Sequence, residues 1–296
     1  MALTAGRAAI MVGLCLIVAK SWAYIHTDSA SILASLTDSV GDTAISLMSY
    51  FAIRLSLKPA DAEHRHGHGK IEGIAALFQA AFLTGSAVFL FLEGLERFTN
   101  PQPVVDHGLA VAVMLFSVCL TLGLVLLQRH ALRKAPSLAV EADSAHYAMD
   151  ILTNVAALLA LVLLFYGGPL WIDPLFAVGM AGYFLYTAYQ IGRKAVDMLL
   201  DRELPEETRA RIIALVSENR HVKAFHDLRT RASGMTVYIY LDIEVDPDFS
   251  LKKAHAVSLD VEEKLMTDFP NAEIMIHVDP AGIPHRESRH RAMYKD

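Results

Sequence analysis

Two pairs of ionisable residues stand in stretches of sequence that are otherwise apolar. Asp38 and Asp42 lie four residues apart in LASLTDSVGDTAISLMSY, and His146 and Asp150 have the same spacing in EADSAHYAMDILTN. In a helix, this spacing places both members of a pair on one face, one turn apart. Carboxylates and imidazoles are ligands that divalent metal ions such as Zn²⁺ accept. The two pairs therefore predict a metal site between two helices.

The helices that carry these pairs are predicted to cross a membrane. Of the 296 residues, 54% are hydrophobic and 20% are charged, and the apolar residues are concentrated in long runs. The segments 73–92 and 108–127 are each free of charge over a length that spans the roughly 30 Å hydrocarbon core of a bilayer. We predict six transmembrane helices within residues 1–200, at about 6–25, 30–57, 71–96, 104–129, 138–166 and 172–195.

The basic residues predict the orientation of these helices. With the N-terminus inside, the inner loops at 58–70 and 128–137 each carry three Lys or Arg, whereas the outer connections carry only Arg97. Because cytoplasmic loops are enriched in basic residues, both termini are predicted to be cytoplasmic. We expect a multi-pass membrane protein. Cys15 and Cys119 both lie in apolar segments, which argues against a disulfide framework or a cysteine metal site.

The depths of the two pairs agree with a shared site. An ionised aspartate at the centre of a membrane helix costs about 2.5–3.5 kcal/mol. Helix rise places Asp38 and Asp42 about 12 and 18 Å below the outer boundary, and His146 and Asp150 about 12 and 18 Å above the inner one. Three oxygens and one nitrogen then meet at one level, as a tetrahedral Zn²⁺ shell requires. A single acid could instead pair with Lys20 or cap a backbone group, but two matched pairs favour a metal site.

Three carboxylates at one level repel each other unless a cation or protons neutralise them. Metal binding would therefore displace protons, and a site that faces alternate sides of the membrane would exchange the two. We expect a proton-coupled antiporter that exports divalent metal by alternating access, and not an enzyme. The alternatives are a membrane metalloenzyme, which needs an open coordination position, and a metal-sensing membrane protein without transport, which would leave the intramembrane acids without a role.

Residues 201–284 differ in character and predict a small cytoplasmic domain. TVYIYLDIEV (236–245) alternates strictly between apolar and polar residues, and EIMIHVDP is a second alternating stretch. Each pattern predicts a strand with one buried face. With a strand at HDLRTR and two helices, the order is αββαβ, an α+β ferredoxin-like domain close to the split βαβ pattern. Residues 285–296 are predicted to form a polar tail.

These features together resemble the cation diffusion facilitator family, and within it the bacterial zinc/iron–proton exchangers. The resemblance covers nearly the whole chain and includes the local stretches PADAEHRHGHGKIE, LDREL, HDLRTR and MIHVDP. It implies a homodimer in the lipid bilayer of the bacterial inner membrane that exchanges Zn²⁺ for protons. Because Asp38 stands first in the motif, the resemblance also implies exchange of Fe²⁺ or Cd²⁺. No nucleic-acid partner is expected. The family's transport site falls on Asp38, Asp42, His146 and Asp150.

The resemblance also implies two further metal sites and a charge pair. A site in the loop after the second helix falls on Asp61, His64 and His68, whereas the neighbouring His66 does not match. A two-metal cluster that holds the cytoplasmic domains of the dimer together falls on His226, Asp242, His255, His277 and Asp279. Asp242 departs from the pattern, which has His there. Lys70 and Asp201 match a charge pair at the dimer interface, and His107, His130, His285 and His290 are assigned to the surface.

Overall fold

The computed structural model describes residues 1–28, 30–99, 108–166, 169 and 171–282. The chain divides into two compact units, Met1–Leu200 and Asp201–Asp296. The described residues of the first unit form six long helices: α1 (Ala2–Thr27), α2 (Ala30–Ser56), α3 (Ile71–Thr99), α4 (Gly108–Lys134), α5 (Leu138–Phe165) and α6 (Ile172–Leu199). The predicted polar tail and His107, His285 and His290 lie outside the described residues.

Three of the six helices are long and apolar enough to cross a membrane by length and composition alone. Within the described residues these segments are Ala2–Thr27, Ile71–Phe98 and Ala112–Lys134. The helices α2 and α5, which carry the ionisable pairs, are not among them. Helix α1 begins four residues before its predicted start, and α6 ends four residues after its predicted end. The added residues are mostly good helix formers, such as Ala2 and Leu3 in α1 and Met198 and Leu199 in α6, so the helices continue through them.

Small residues let the membrane helices approach each other closely. One core lies between α3, α5 and α6 and contains Ala76 and Ala80 of α3, with Ala188 and Ala195 of α6. Short side chains at such positions allow two helices in a membrane to pack backbone to backbone. Gly13 serves the same purpose between α1 and α2, since a Cβ atom there would overlap the Thr43 side chain. These contacts position α2 beside its neighbours.

The second unit is an α/β domain in the order α7 (Glu206–Ser217), β1 (Ala224–Ser233), β2 (Thr236–Val245), α8 (Leu251–Asp268) and β3 (Ala272–Pro280). The predicted αββαβ order is confirmed. Strand β2 lies between β1, which it pairs antiparallel, and β3, which it pairs parallel. The predicted split βαβ pattern is wrong, because the parallel strands β2 and β3 are direct neighbours. A split unit has another strand between its two parallel strands, and the sheet of the described residues has the order β1-β2-β3.

The helices α7 and α8 cover one face of this sheet. The apolar positions of β2, which include Ile239, Leu241 and Ile243, pack with Val261 and Leu265 of α8 in a single core. Their intervening neighbours Asp242 and Glu244 therefore lie on the opposite face, because successive strand residues alternate. The domain thus has one apolar, covered face and one polar face.

We expect replacement of Leu265 by Ala to lower the free energy of unfolding of the second unit by about 2–5 kcal/mol, because it leaves a cavity in the core. Leu265 is 0% exposed, whereas Leu259 of the same helix is 50% exposed. Leu259→Ala is the matched control and should change stability by less than about 0.5 kcal/mol. Denaturant unfolding of the purified full chain would measure both; equal effects would contradict the packing described here.

Candidate metal centres

The first candidate centre lies between α2 and α5, where three of the four predicted transport-site residues converge. His146 Nε2 is 2.7 Å from Asp42 Oδ1 and 3.8 Å from Asp150 Oδ2. One ligand atom from each of the three lies within 4.8 Å of the others. The side chain of His146 is only 7% exposed, and that of Asp150 is 33% exposed. A neutral His146 that donates from Nε2 to Asp42 has to give up that proton before the same nitrogen can bind a metal.

Asp38, the fourth predicted residue, stands apart from this group of three. It lies one helical turn before Asp42 on α2 and lines the same cavity of 710 Å³ as Asp42, His146 and Asp150. Among the described residues, the cluster able to hold a metal does not include it. The four predicted residues therefore share one cavity, but only three of them are within ligand distance of each other.

A buried carboxylate beside this centre was missed by the sequence analysis. Asp143 of α5 accepts hydrogen bonds from Ser46 Oγ of α2 at 2.8 Å and from Gln128 Nε2 of α4 at 2.6 Å. The Tyr147 hydroxyl lies 2.9 Å from the same Ser46 oxygen. Asp143 is 2% exposed. The sequence could have indicated Asp143, because it lies three residues before His146 and seven before Asp150, and helical periodicity places all three near one face.

This network fixes the relation of α2 to α5 next to the metal centre. Ser46 follows Asp42 by one turn on α2, and Asp143 precedes His146 by about one turn on α5. Ser46, Asp143 and Gln128 are buried side chains from three helices that share hydrogen bonds. Because hydrogen bonds are directional, they define the relative position of the helices more closely than apolar contacts would. We infer that the network sets the register in which Asp42 faces His146.

The second candidate centre is the loop that joins α2 to α3. Asp61 Oδ1 lies 3.3 Å from His64 Nδ1, and Asp61 Oδ2 lies 3.3 Å from His68 Nε2. The three predicted residues form one cluster able to hold a metal. The backbone N–H of His64, together with that of Glu63, donates to the Asp61 carboxylate and lowers its pKa to about 2. Asp61 is therefore ionised at any physiological pH and could bind a cation.

The third candidate centre lies on the polar face of the cytoplasmic sheet. His226 Nδ1 is 3.5 Å from Asp242 Oδ2, and His226 Nε2 is 3.4 Å from Asp279 Oδ2. His277 Nε2 lies 3.2 Å from Asp279 Oδ1. Strand register explains this group, since Asp242 is paired with His226 on one side and with His277 on the other. Four of the five predicted residues of this cluster are thus brought together.

The fifth residue and two further carboxylates differ from the prediction. His255 is exposed on α8, which covers the apolar face, so within one protomer it does not join the other four. Glu244 Oε1 lies 3.7 Å from His226 Nε2, and Asp227 joins His226 and Asp242 in a cluster able to hold a metal. The alternation of β2 could have indicated Glu244 as a member of this cluster, because Glu244 lies two residues after Asp242 and on the same face of the strand. Asp227 adopts a left-handed φ of 50° where the ladder register shifts between His226 and Arg229, an irregularity that alternation does not predict.

The two residues of the predicted charge pair belong to different units, and each has a partner within its own unit. Lys70 Nζ donates to the Leu199 carbonyl at 3.2 Å. Asp201 Oδ1 accepts from Arg231 Nη1 at 3.2 Å. Asp201 is also one of the few non-glycine residues with a left-handed φ, at 56°. The pair itself remains a prediction.

A helical membrane unit with an acid–histidine centre, followed by an α/β unit, defines a class of metal-transporting membrane protein. Residues 7–200 match the family model of the cation efflux transmembrane domain, and residues 204–281 match that of the cation efflux protein cytoplasmic domain. The chain therefore belongs to the cation efflux, or cation diffusion facilitator, family, whose members transport divalent metal ions. The resemblance identified from the motifs is confirmed.

Two bacterial relatives agree with this assignment. The chain is 46% identical over 279 residues to the cation-efflux pump FieF of Shewanella oneidensis, covering 94% of each chain. It is 45% identical over 272 residues to FieF of Yersinia enterocolitica, covering 92% of this chain and 90% of that one. Among solved structures, the metal-bound C-terminal domain of the CzcD transporter from Thermotoga maritima is 27% identical, with 28% of this chain and 100% of that chain covered and a TM-score of 0.26.

We expect Asp143→Ala to destabilise the membrane unit, because Gln128 Nε2 and Ser46 Oγ lose their buried acceptor. Each buried donor left unpaired costs about 1–3 kcal/mol. The matched control is Glu93→Ala, since Glu93 also lies in a membrane helix but has a 39% exposed side chain. Thermal unfolding in detergent would measure both variants. A melting temperature for Asp143→Ala as high as that of the control would contradict the network.

We expect His68→Ala to remove one bound Zn²⁺ per protomer, because the loop cluster loses one of three ligands. His66→Ala is the control, as His66 is in the same loop but outside the cluster. Calorimetric titration with Zn²⁺ would count the ions bound by each variant. Loss of a site in both variants, or in neither, would show that Asp61, His64 and His68 do not form a specific site.

Proposed function

We propose that this protein exports divalent metal ions from the cytoplasm in exchange for protons, with Zn²⁺ as the first substrate. The observation that carries the proposal is the convergence of Asp42, His146 and Asp150 within 4.8 Å inside a membrane unit. Asp38 shares their cavity and is proposed as the fourth ligand, which a change in the shape of that part of the cavity would bring to the metal while Asp42 stays in place. Metal enters from the cytoplasm and leaves on the other side after a helix rearrangement.

Proton coupling follows from the ligands themselves. The 2.7 Å hydrogen bond between His146 Nε2 and Asp42 Oδ1 needs a proton between the two atoms. A divalent cation needs the same nitrogen lone pair and the same carboxylate oxygen, so metal and proton compete for one place. When the cavity opens outward, an incoming proton restores the hydrogen bond and displaces the metal. The site residues are then both ligands and proton carriers.

The ligand set supports a choice of metals as well as a mechanism. Three carboxylates and one imidazole can form a tetrahedral Zn²⁺ site. Because both ionisable residues of α2 provide oxygen, the site is also suited to Fe²⁺ and Cd²⁺, which carboxylates discriminate poorly from Zn²⁺. We therefore propose Zn²⁺ as the main substrate, with Fe²⁺ and Cd²⁺ as further ones.

The cytoplasmic cluster is proposed to hold resident Zn²⁺ and to stabilise a homodimer. His226 is surrounded by the carboxylates of Asp242, Glu244 and Asp279, and its side chain is 13% exposed. Such a group of acids is stable only with bound cations or protons, so the donor set fits Zn²⁺. His277 is 68% exposed and His255 is exposed on α8, where each could reach a metal shared with a second protomer. Bound metal would draw the two domains together.

A metal sensor without transport is the second candidate, because the cytoplasmic cluster could respond to metal without the membrane centre. Such a protein needs no centre in the membrane, and its dimer closure would survive mutation there. A membrane metalloenzyme is less well supported: the four candidate ligands can fill a tetrahedral shell, whereas a catalytic metal keeps one position open.

We expect Asp42→Ala to abolish Zn²⁺ flux into proteoliposomes, because it removes both a ligand and the partner of His146. Flux through the unaltered protein should rise when a pH gradient supplies protons on the side where metal is released, and should fall when the gradient is collapsed. Zn²⁺, Fe²⁺, Mn²⁺ and Cd²⁺ would be compared in the same vesicles with metal-sensitive dyes. Glu93→Ala is the control and should retain flux.

Flux that ignores the pH gradient would refute proton coupling. Metal-dependent closure of the cytoplasmic domains, measured by energy transfer between dyes on the two protomers, separates the remaining candidates. An exporter loses flux in Asp42→Ala, whereas a sensor shows no flux in any variant and keeps domain closure in all of them.

A further inference from the structure

A lysine of α1 is buried inside the membrane unit beside the proposed transport site. Lys20 is 8% exposed, and its Nζ donates to the Ser35 carbonyl at 3.0 Å and to Ser39 Oγ at 2.6 Å, both on α2. Ser39 is the residue after Asp38. A lysine in a membrane helix ordinarily extends towards the interface so that its ammonium remains hydrated. Lys20 instead points its charge at the acidic helix.

The cavity that contains the four proposed ligands also contains Lys20. Among the described residues that line it, Lys20 is the one Lys or Arg, and Asp38, Asp42 and Asp150 are the carboxylates. The cavity lies among all six helices, and apolar residues such as Phe82 and Leu83 line it together with hydroxyl-bearing ones such as Thr121. Charges in such a cavity interact more strongly than in water, so the net charge of the cavity affects metal binding as well as the direct contacts do.

The charges of this cavity match a divalent cation only when Lys20 is included. Three ionised carboxylates carry one negative charge more than a divalent metal neutralises, and the neutral His146 adds none. The ammonium of Lys20 supplies the missing positive charge. Without it, the metal-loaded site would keep a net negative charge in the membrane, which is costly and would hold the metal too tightly for rapid release.

We propose that Lys20 is the resident counter-charge of the transport site and sets its affinity for divalent metal. The inference rests on the proposed function of that site. Lys20 is a positioning and tuning residue and not a ligand, since an ammonium has no lone pair for a metal. The two serine acceptors hold the ammonium at the level of Asp38, close enough to reduce the negative potential but outside the group of converging ligands.

The proposal predicts opposite effects for two neutralising substitutions. Lys20→Met leaves an excess negative charge, so Zn²⁺ should bind roughly tenfold more tightly and leave more slowly. Asp38→Asn leaves an excess positive charge, so Zn²⁺ should bind at least roughly tenfold more weakly. The double variant restores the charge balance, so Zn²⁺ should bind it roughly tenfold more tightly than Asp38→Asn alone, although more weakly than the unaltered site because a proposed ligand is lost.

The test is calorimetric Zn²⁺ titration of the full chain in detergent, with His68→Ala and His226→Ala in every protein so that the transport site dominates. Lys20→Arg keeps the charge and should bind Zn²⁺ as the parent does. Lys194→Met is the matched control, since it removes a lysine whose side chain is 56% exposed, and it should leave affinity unchanged. Zn²⁺ flux in proteoliposomes, measured in parallel, should show a lower maximal rate for Lys20→Met.

Two results would overturn the proposal. If Lys20→Met leaves Zn²⁺ affinity unchanged or weakens it, Lys20 only links α1 to α2. If the double variant binds as weakly as Asp38→Asn, the two residues are not coupled through charge. Absence of flux in the unaltered protein would instead refute the exporter function, while the titrations would still report on Lys20.

Discussion

The cost of burying negative charge in a membrane is the constraint on which the rest of this structure depends. Asp42 and Asp150 lie in the interior of a helical unit that lipid surrounds, and an isolated carboxylate there would be strongly destabilising. His146 relieves part of this cost through its contact with Asp42 at 2.7 Å. The remainder requires a cation or protons. A site that is never stable without an exchangeable positive charge is suited to transport.

A transport site has to be rigid where its ligands meet and able to change shape beside them, and the elements around this site differ in that way. Asp143 accepts hydrogen bonds from Ser46 and Gln128, and Tyr147 contacts the same Ser46 oxygen, so this network joins α2, α4 and α5 about one helical turn from the metal centre. On the other side, Asp38 and Lys20 line an open cavity. We infer that α2 and α5 remain in register while the outer part of the cavity changes shape, which is what alternating access requires.

Acid–histidine clusters recur outside the membrane, but their environments differ. Asp61 in the loop is held ionised by backbone N–H groups and is open to water, which suits a site that captures metal loosely. The cluster around His226 is less exposed and is built on a sheet, where strand pairing fixes its members. Similar ligands are thus placed on a helix pair, a loop and a sheet, and the rigidity of each element sets how firmly the metal would be held.

The sequence by itself determined the family, the helical membrane unit, the αββαβ order and the residue types of the candidate centres, because helical spacing, strand alternation and charge are local properties. Asp42 and His146 could be matched by depth, since helix rise is constant. Only the tertiary structure decided that Asp38 stands apart from its three partners, that Asp143 joins three helices, that Glu244 and Asp227 lie beside His226, and that Lys20 turns inward. These depend on how elements distant in sequence pack together, and neither periodicity nor spacing within one element contains that information.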